Sequence, residues 1–307
     1  MEIVFLGTGG TMPSALRGLP SIAVRRDGEI LLFDCGEGTQ RAMARARLGF
    51  GKPMRVFITH LHGDHVLGLP GLIQTMNLLG RERPLHIYGP RGLGGLLEAV
   101  SRFISPPEFP LIIHRVHRGV IHRGEDYRVE AVEAEHEGEC WSYAIIEDPR
   151  PGRFHPERAR RLGVPEGPLW KRLQRGEDIT LSDGRVVRSR DVVDPPRRGR
   201  RIVYSGDTRP NRRLIELARG ADILIHEATF NEGLRDRAIR DGHSTAREAA
   251  EAAAQAGAKL LVLTHISARY PDPKPLLEEA KSIFPNVLVA EDLMTLRVPL
   301  SDEPAET

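Results

Sequence analysis

Thr59-His60-Leu61-His62-Gly63-Asp64-His65 follows the apolar run Val56-Phe57-Ile58 and puts three imidazoles and a carboxylate within six residues, His60 to His65. The apolar run reads as a buried strand, and Gly63 lets the loop after it turn so that alternate side chains converge. His60 and His62 can reach one metal ion together, while Asp64 and His65 face the other way toward a second. A lone histidine is more often a surface group or a hydrogen-bonded core group than a ligand. Imidazoles and a carboxylate at this spacing, straight after a strand, are instead a donor set for zinc or a similar divalent ion. The stretch predicts a layered α/β fold built around a two-metal site.

The bulk composition sets the frame. The 307 residues permit one large domain or two modest ones, with ample chain to bury a core. Hydrophobic residues at 40% and charged residues at 28% are ordinary for a soluble globular protein. No apolar run approaches the roughly 18 residues needed to span a bilayer, so no membrane partner is expected. Met1-Glu2-Ile3-Val4-Phe5-Leu6-Gly7 lacks a basic region followed by a long apolar stretch; it reads as a first strand rather than a signal peptide, and a cytoplasmic location is expected. Cys35 and Cys140 are too few for a disulfide framework and too far apart for a cysteine-based zinc knuckle, so both should be reduced. Lysine occurs only at 52, 171, 259, 274 and 281, and arginine carries most of the positive charge. Arginine suits phosphate recognition through its bidentate fork.

The net charge of +2 hides an uneven distribution. Residues 147–200 hold fourteen Arg or Lys against nine Asp or Glu, giving +5, while the remainder holds thirty against thirty-three, giving −3. The bland reading of the basic segment is a solvated, loop-rich surface; the sharper one is a nucleic-acid contact.

Strand signals over Ile3 to Leu6, Ser21 to Val24 and Ile30 to Phe33 form a β-meander, followed by a helix from Gly38 to Arg47. A helix from Leu69 to Leu79 lies behind the histidine loop. Strand and helix then alternate through Leu85 to Tyr88 and Arg91 to Ile104, and short strands return between Ile112 and Ile146. The basic segment carries seven prolines from Pro149 to Pro196 and little apolar periodicity, so it is expected to lack a core and to project as an arm inserted into a single domain spanning 1–307. Arg201 to Tyr204, Ile223 to His226 and Leu260 to Leu263 read as buried strands, and Thr245 with Glu248 opens an Ala-rich helix running to Ala256. Two halves, each with strands and then helices, imply two sheets packed face to face with helices outside.

Several later strands end in a candidate ligand. Asp207 follows Val203-Tyr204-Ser205-Gly206, His265 follows Leu261-Val262-Leu263-Thr264, and His136 sits in Ala134-Glu135-His136-Glu137-Gly138. Each alone is weak; together they complete an inventory. His60, His62 and His136 would hold the first ion; Asp64, His65 and His265 the second; Asp207 would bridge them. Ions about 3.5 to 4 Å apart would share a water, lower its pKa toward about 7 and supply a hydroxide for in-line attack at phosphorus. A leaving-group acid is offered by His243 in His243-Ser244-Thr245. Glu227, in His226-Glu227-Ala228-Thr229, would raise that imidazole's pKa if the two were hydrogen-bonded. His226 reads as structural, and His86, His114, His117, His122 and His155 as surface residues.

These residues resemble the ribonuclease Z family of tRNA 3′-end processing endonucleases in the metallo-β-lactamase superfamily. Phe5-Leu6-Gly7-Thr8-Gly9-Gly10, Phe33-Asp34-Cys35-Gly36-Glu37-Gly38-Thr39-Gln40, the histidine loop, Ser205-Gly206-Asp207-Thr208-Arg209, His226-Glu227-Ala228-Thr229-Phe230, His243-Ser244-Thr245 and Leu263-Thr264-His265-Ile266-Ser267 carry the resemblance over nearly the whole chain. The histidine loop specifies only the superfamily; the Glu227 and His243 motifs are narrower. The resemblance implies a four-layer αβ/βα sandwich with two zinc or other divalent ions per subunit, a homodimer, and an arm gripping precursor tRNA. The arm would be residues 147–200, with Gly167 and Pro168 as its Gly-Pro element and Lys171, Arg172 and Arg175 contacting phosphates. Cleavage would fall after the discriminator nucleotide and leave a 3′-hydroxyl. Asp64 would bind metal and handle the attacking water's proton, and Asp34 would support the ligands from behind. The family's Pro-x-Lys-x-Arg-Asn loop reads Pro13-Ser14-Ala15-Leu16-Arg17-Gly18 here, keeping the Pro and, in Arg17, the substrate-contacting Arg but not the Lys and Asn. That departure bears on cut position and on rejection of tRNA already ending in CCA.

Two other readings compete. Another hydrolase on the same scaffold, such as a small phosphodiesterase, lactonase or thioesterase, would have no use for a basic arm. A catalytically dead RNA-binding subunit would be expected to lack ligands, and none is missing.

Overall fold

Strands that are buried residue for residue, such as Ile223–Glu227, can only sit inside layers covered on both faces. The computed structural model, which describes residues 1–102 and 105–304, shows that arrangement. One seven-stranded sheet runs in the order Thr295–Arg297, Glu2–Gly7, Ser21–Arg26, Glu29–Phe33, Met54–Phe57, Leu85–Gly89, Leu111–Arg115. The other runs Val287–Val289, Leu261–Thr264, Ile223–Glu227, Arg201–Tyr204, Trp141–Glu147, Tyr127–Glu133, Gly119–Arg123.

Each sheet carries helices outside and aromatic residues inside. Met43, Leu69, Leu72, Ile73, Met76 and Leu93, from the helices Thr39–Arg45, Gly68–Leu78 and Leu93–Ser101, share one apolar cluster with Leu32, Val56 and Ile87 of the first sheet. The helices Arg212–Leu217, Ala246–Ala256 and Lys274–Lys281 bury Leu214, Ala249, Ala253, Leu276 and Ala280. Between the sheets Phe57 meets Tyr143 at 5.8 Å and Phe33 meets Tyr204 at 6.2 Å between ring centroids. The order helix, sheet, sheet, helix is the expected four-layer sandwich. The helix expected over Arg91 to Ile104 is found as Leu93–Ser101, and its last expected residues, 103 and 104, lie outside the described residues.

The strands from Glu29–Phe33 through Leu111–Arg115 are parallel neighbours, as are those from Arg201–Tyr204 through Val287–Val289. Parallel strands end together, so Asp34, His60, Asp207, Glu227 and His265 are all delivered at carboxyl ends, where layered α/β folds place their ligands.

The chain separates into two compact units: Met1–Gly124, Arg128–Ile145 and Arg201–Val298 form the sandwich, and Glu125–Tyr127, Ile146–Arg200 and the chain from Pro299 onward form the second. The second unit corrects the expectation that the basic segment lacks a core. Ala159, Val164, Leu173, Ile179, Val187 and Val192 are buried together, flanked by Phe154, Leu169 and Trp170. Apart from Val164, which lies in the loop between the first two helices, the six come from the helices Pro156–Arg161, Pro168–Gln174 and Ser189–Val192 and a two-stranded hairpin, elements too short for any apolar period to register. Arg150 and Arg197 exchange backbone hydrogen bonds of 2.8 Å in both directions and bring the two ends of the segment together.

Candidate active site

His60 to His62 continue the strand Met54–Phe57, and one helical turn, Gly63–Val66, then carries Asp64 and His65. Ligand atoms of His60, His62 and His136 lie within 4.8 Å of one another, as do those of Asp64, His65 and His265. These are the two sets expected from the strand ends. Asp207 stands between them, with Oδ2 at 3.3 Å from His65 Nε2, 3.3 Å from His265 Nε2 and 3.7 Å from His60 Nε2. Gly206, at φ +60°, turns the chain beneath Asp207 where a side chain would meet Thr59. Gly10 likewise gives room to the His265 ring, which a Cβ there would approach within 2.5 Å.

The donor atoms fit divalent metal. A tetrahedral ion holding ligands at about 2.0 to 2.1 Å requires them to lie about 3.3 to 3.4 Å apart. His65 Nε2 and His265 Nε2 are 3.3 Å apart, each is 3.5 Å from Asp64 Oδ2, and His62 Nδ1 is 3.3 Å from His136 Nε2. Among the described residues His60 Nε2 and Asp207 Oδ1 are buried without a hydrogen-bond partner, a costly state for polar atoms that a cation would relieve.

The opposite nitrogens of the imidazoles are already engaged. Nδ1 of His60 meets Thr59 Oγ1 (2.9 Å), His65 meets Asp34 Oδ2 (2.8 Å), His136 meets the Gly242 carbonyl (2.8 Å) and His265 meets Thr229 Oγ1 (2.8 Å). Such contacts fix ring orientation and leave Nε2 for a metal. Asp34 also accepts from the Thr59 amide (2.8 Å) and the Tyr204 hydroxyl (2.9 Å), and the Thr11 amide donates to Asp64 Oδ2 (2.9 Å). Asp34 and His265 have φ of +56° and +57°, uncommon for residues with a Cβ and frequent where function constrains the backbone.

Charge is strongly redistributed here. Burial pushes the His60 imidazole down to about 2, helped by His65, so its lone pair is free. Burial would raise Asp207, but the His265 and His65 imidazoles hold it well below the usual carboxylate range. His65 goes the other way: burial opposes protonation, yet Asp207 and Asp34 raise it well above an ordinary histidine.

His243 Nδ1 lies 2.9 Å from Glu227 Oε1, the hydrogen bond on which the expected rise of the His243 pKa depends. Burial lowers the His243 pKa, but the Glu227 charge and hydrogen bond outweigh it and lift the group to about 9. Glu227 is held in turn by the Thr208 amide (3.1 Å) and the Thr229 hydroxyl (2.7 Å). His243, Asp64, His62, His136 and Asp207 all face one open pocket of about 980 Å³.

Not every expected residue joins this arrangement. The Arg17 guanidinium is turned inward, with the residue only 9% exposed, and donates to Thr8 Oγ1 (2.7 Å) and the Ala290 carbonyl (2.6 Å). The expected substrate contact of Arg17 is therefore corrected to one that pins the loop base, while Thr11, Met12 and Pro13 line the pocket. In the second unit Gly167 and Pro168 open the helix Pro168–Gln174, Lys171 and Arg175 are exposed, and Arg172 is paired with Glu177 at 2.8 Å. His226 is structural as expected, its Nδ1 being 2.7 Å from the Glu227 carbonyl oxygen. His86 and His114 are not free surface residues but pair at 3.0 Å.

The sequence reading missed Thr59, Thr229, Tyr204 and the Gly242 carbonyl. Thr229 was within reach, since it lies two residues after Glu227 and two-residue spacing in extended chain puts both side chains on one face.

A family model for a β-lactamase superfamily domain matches residues 191–266, and one for the anti-Pycsar protein Apyc1 matches residues 1–99. A ribonuclease Z from Haloferax volcanii is 50% identical over 306 residues, 98% of this chain and 96% of its own. One from Methanosarcina acetivorans is 47% identical over 99% of this chain and 100% of its own. Among solved structures, the short form of human tRNase Z is similar with a TM-score of 0.71 at 29% identity, covering 98% of this chain and 100% of that one. Zinc-bound PqqB from Methylobacterium extorquens shares the fold, with a TM-score of 0.63 at 15% identity over 97% of this chain and 100% of that one. With such identity along the whole chain, set beside the convergent ligand sets and the Glu227–His243 pair, the chain belongs to the ribonuclease Z family and is an endoribonuclease on the metallo-β-lactamase fold.

Proposed function

We propose that this chain removes the 3′ trailer from precursor tRNA by zinc-dependent hydrolysis of the phosphodiester after the discriminator nucleotide, leaving a 3′-hydroxyl on the tRNA. The observation that carries the reading is the Glu227–His243 contact of 2.9 Å beside two convergent ligand sets in one pocket. His60, His62 and His136 would hold one divalent ion and Asp64, His65 and His265 another, with Asp207 shared. Bound there, the ions supply Lewis acidity, acidifying a water and neutralising charge on the phosphoryl oxygens.

The remaining steps belong to the chain's own side chains. Asp64 faces the pocket and takes the proton of the attacking water. The water oxygen bonds to phosphorus, the bond from phosphorus to the ribose 3′-oxygen breaks, and the phosphate leaves with the trailer. His243, protonated through neutral pH and held at Nδ1 by Glu227, gives the Nε2 proton to the departing 3′-oxygen. Asp34, through His65, keeps a ligand ring oriented. The basic second unit grips the tRNA through Gly167, Pro168, Lys171, Arg172 and Arg175, and the enzyme works in the cytoplasm as a homodimer.

Mapping the cut on precursors with and without an encoded CCA tests the reading. Cleavage after the discriminator supports it; hydrolysis of a generic phosphodiester with no cut in a trailer-bearing precursor would overturn it.

A further inference from the structure

Two guanidiniums face the active-site pocket from one wall, and they are held differently. Arg237, on the helix Arg235–Asp241, is committed: its Nε lies 3.1 Å from Asp241 Oδ2, and Asp241 Oδ1 takes Arg240 at 3.2 Å. Arg269 is exposed and, among the described residues, has no ion pair. Its guanidinium sits 4.8 Å over the centroid of the buried Phe230 ring, against 5.9 Å for Arg237. An aromatic face places a cation without neutralising it. The same ring has its centroid 6.1 Å from that of His243.

The backbone braces this group from both sides. Phe230 bridges to Thr245, and its carbonyl accepts the Ala246 amide at 2.9 Å, so the ring is tied to the segment that carries His243. Arg269 follows the short strand Ile266–Ser267, in a turn closed by the Tyr270 amide on the Ser267 carbonyl at 2.9 Å. The next residue of each segment clasps the other: the Tyr270 hydroxyl accepts the Asn231 amide at 3.0 Å and donates to Asn231 Oδ1 at 3.1 Å. The base of Arg269 is thereby fixed relative to His243, and a preplaced guanidinium loses less freedom on binding than one on a free loop.

What this arginine takes follows from its position. A guanidinium without a carboxylate partner, facing a nuclease pocket, suits a phosphate, whose oxygens its fork matches in pairs. Arg269 makes no ion pair with Asp64 or Asp207, so it stands back from the ligand sets over which the scissile phosphate must lie. His243 gives its proton to the 3′-oxygen of the nucleotide that the tRNA keeps, which puts that nucleotide along the wall formed by His243, Phe230 and Arg269. The phosphate next along this wall is the one on the 5′ side of the discriminator nucleotide. We infer that Arg269, seated on Phe230, binds this phosphate, one nucleotide 5′ of the cut. The inference rests on the reading of the chain as a tRNA 3′-end nuclease and deepens it by adding a residue that sets which linkage is cut: with one phosphate held, the next along the strand is presented for attack.

The test uses the full chain loaded with zinc and precursor tRNA in which a single linkage is a methylphosphonate, which removes the charge of one phosphate. On the unmodified precursor Arg269→Ala should lower kcat/KM about 10 to 100-fold, the loss expected for one charge-assisted contact. With the methylphosphonate 5′ of the discriminator nucleotide, wild type and Arg269→Ala should cut at the same rate, because the two changes remove two halves of one contact and are not additive. With the methylphosphonate at the first linkage inside the trailer, the full loss from Arg269→Ala should return. Arg269→Lys keeps the charge without the fork and should recover part of the activity on the unmodified precursor. Equal loss on all three precursors would make Arg269 a support for the fold and overturn the inference. A loss that vanishes only with the trailer methylphosphonate would put the contact on the other side of the cut and overturn it as well. In both cases the functional reading stands; if the wild type leaves the unmodified precursor uncut, that reading falls and the inference with it.

Discussion

At His243 two opposing effects decide where a proton sits. Burial favours the neutral ring, and Glu227 at 2.9 Å wins by enough to hold the pKa at about 9. Held this way, His243 stays charged at neutral pH and loses its proton as pH rises, so if it supplies the proposed leaving-group proton, cleavage should decline as pH passes about 9. Glu227→Gln should move that decline to lower pH in a pH–rate profile. The same shift contributes to stability in full below the ordinary histidine pKa, and this contribution is lost as pH rises through about 9. His243→Ala should slow cleavage about 10² to 10⁴-fold with bound metal retained. His62→Ala and Asp207→Ala should abolish cleavage and reduce metal content; equal metal loss in all three would refute this division of roles. Asp34→Ala, which frees His65 Nδ1, should weaken metal affinity about 10 to 100-fold in a chelator competition. The candidate ligands were legible because imidazole and carboxylate are rare enough to stand out at strand ends. Their supports were not, since a threonine hydroxyl or the Gly242 carbonyl looks like any other until the chain folds. Arg17 misled for the converse reason: its partner Ala290 lies 273 positions away and nothing local marks the residue as buried.

The Ala-rich helix Ala246–Ala256 shows an element serving the site. Thr245 and Glu248 form a reciprocal cap, Thr245 Oγ1 accepting the Glu248 amide (3.2 Å) and Glu248 Oε2 accepting the Thr245 amide (2.9 Å). Glu248 also holds Arg209 at 2.7 Å, and Arg209 donates to the His243 carbonyl at 2.5 Å. The cap and His243 are thus tied through one arginine. Thr245→Ala should cost about 1 kcal/mol in a urea titration and lower kcat on a small phosphodiester, because the strap on His243 loosens. Elements of this length were easy to read. The cap and the continuous apolar strands of the sandwich carry their own signals, and their bounds fall within a few residues of those expected, as with Leu261–Thr264 against Leu260 to Leu263.

On the scale of the molecule, the proposed function assigns chemistry to the sandwich and tRNA binding to the second unit, and removing that unit tests the assignment. Replacing residues 152–195 by a short Gly-Ser linker keeps Arg150 and Arg197 adjacent, and should raise the KM for precursor tRNA while sparing hydrolysis of a small phosphodiester. Equal loss on both substrates would make the segment a support for the sandwich. Leu173→Ala should act as a milder version, costing about 2 to 5 kcal/mol within the small core and appearing as tRNA affinity lost before turnover of the small substrate. The sandwich was legible as a whole because its strands are continuous apolar runs bounded by turn residues and ending in polar groups. The second unit's core was not, because Ala159, Leu173, Ile179 and Val192 arrive from separate short elements among prolines and arginines. A segment that fills its own interior and enters and leaves the chain at neighbouring points is a cassette. Because its core is its own and its two ends meet at Arg150 and Arg197, such a segment can vary as one piece, core and ends together.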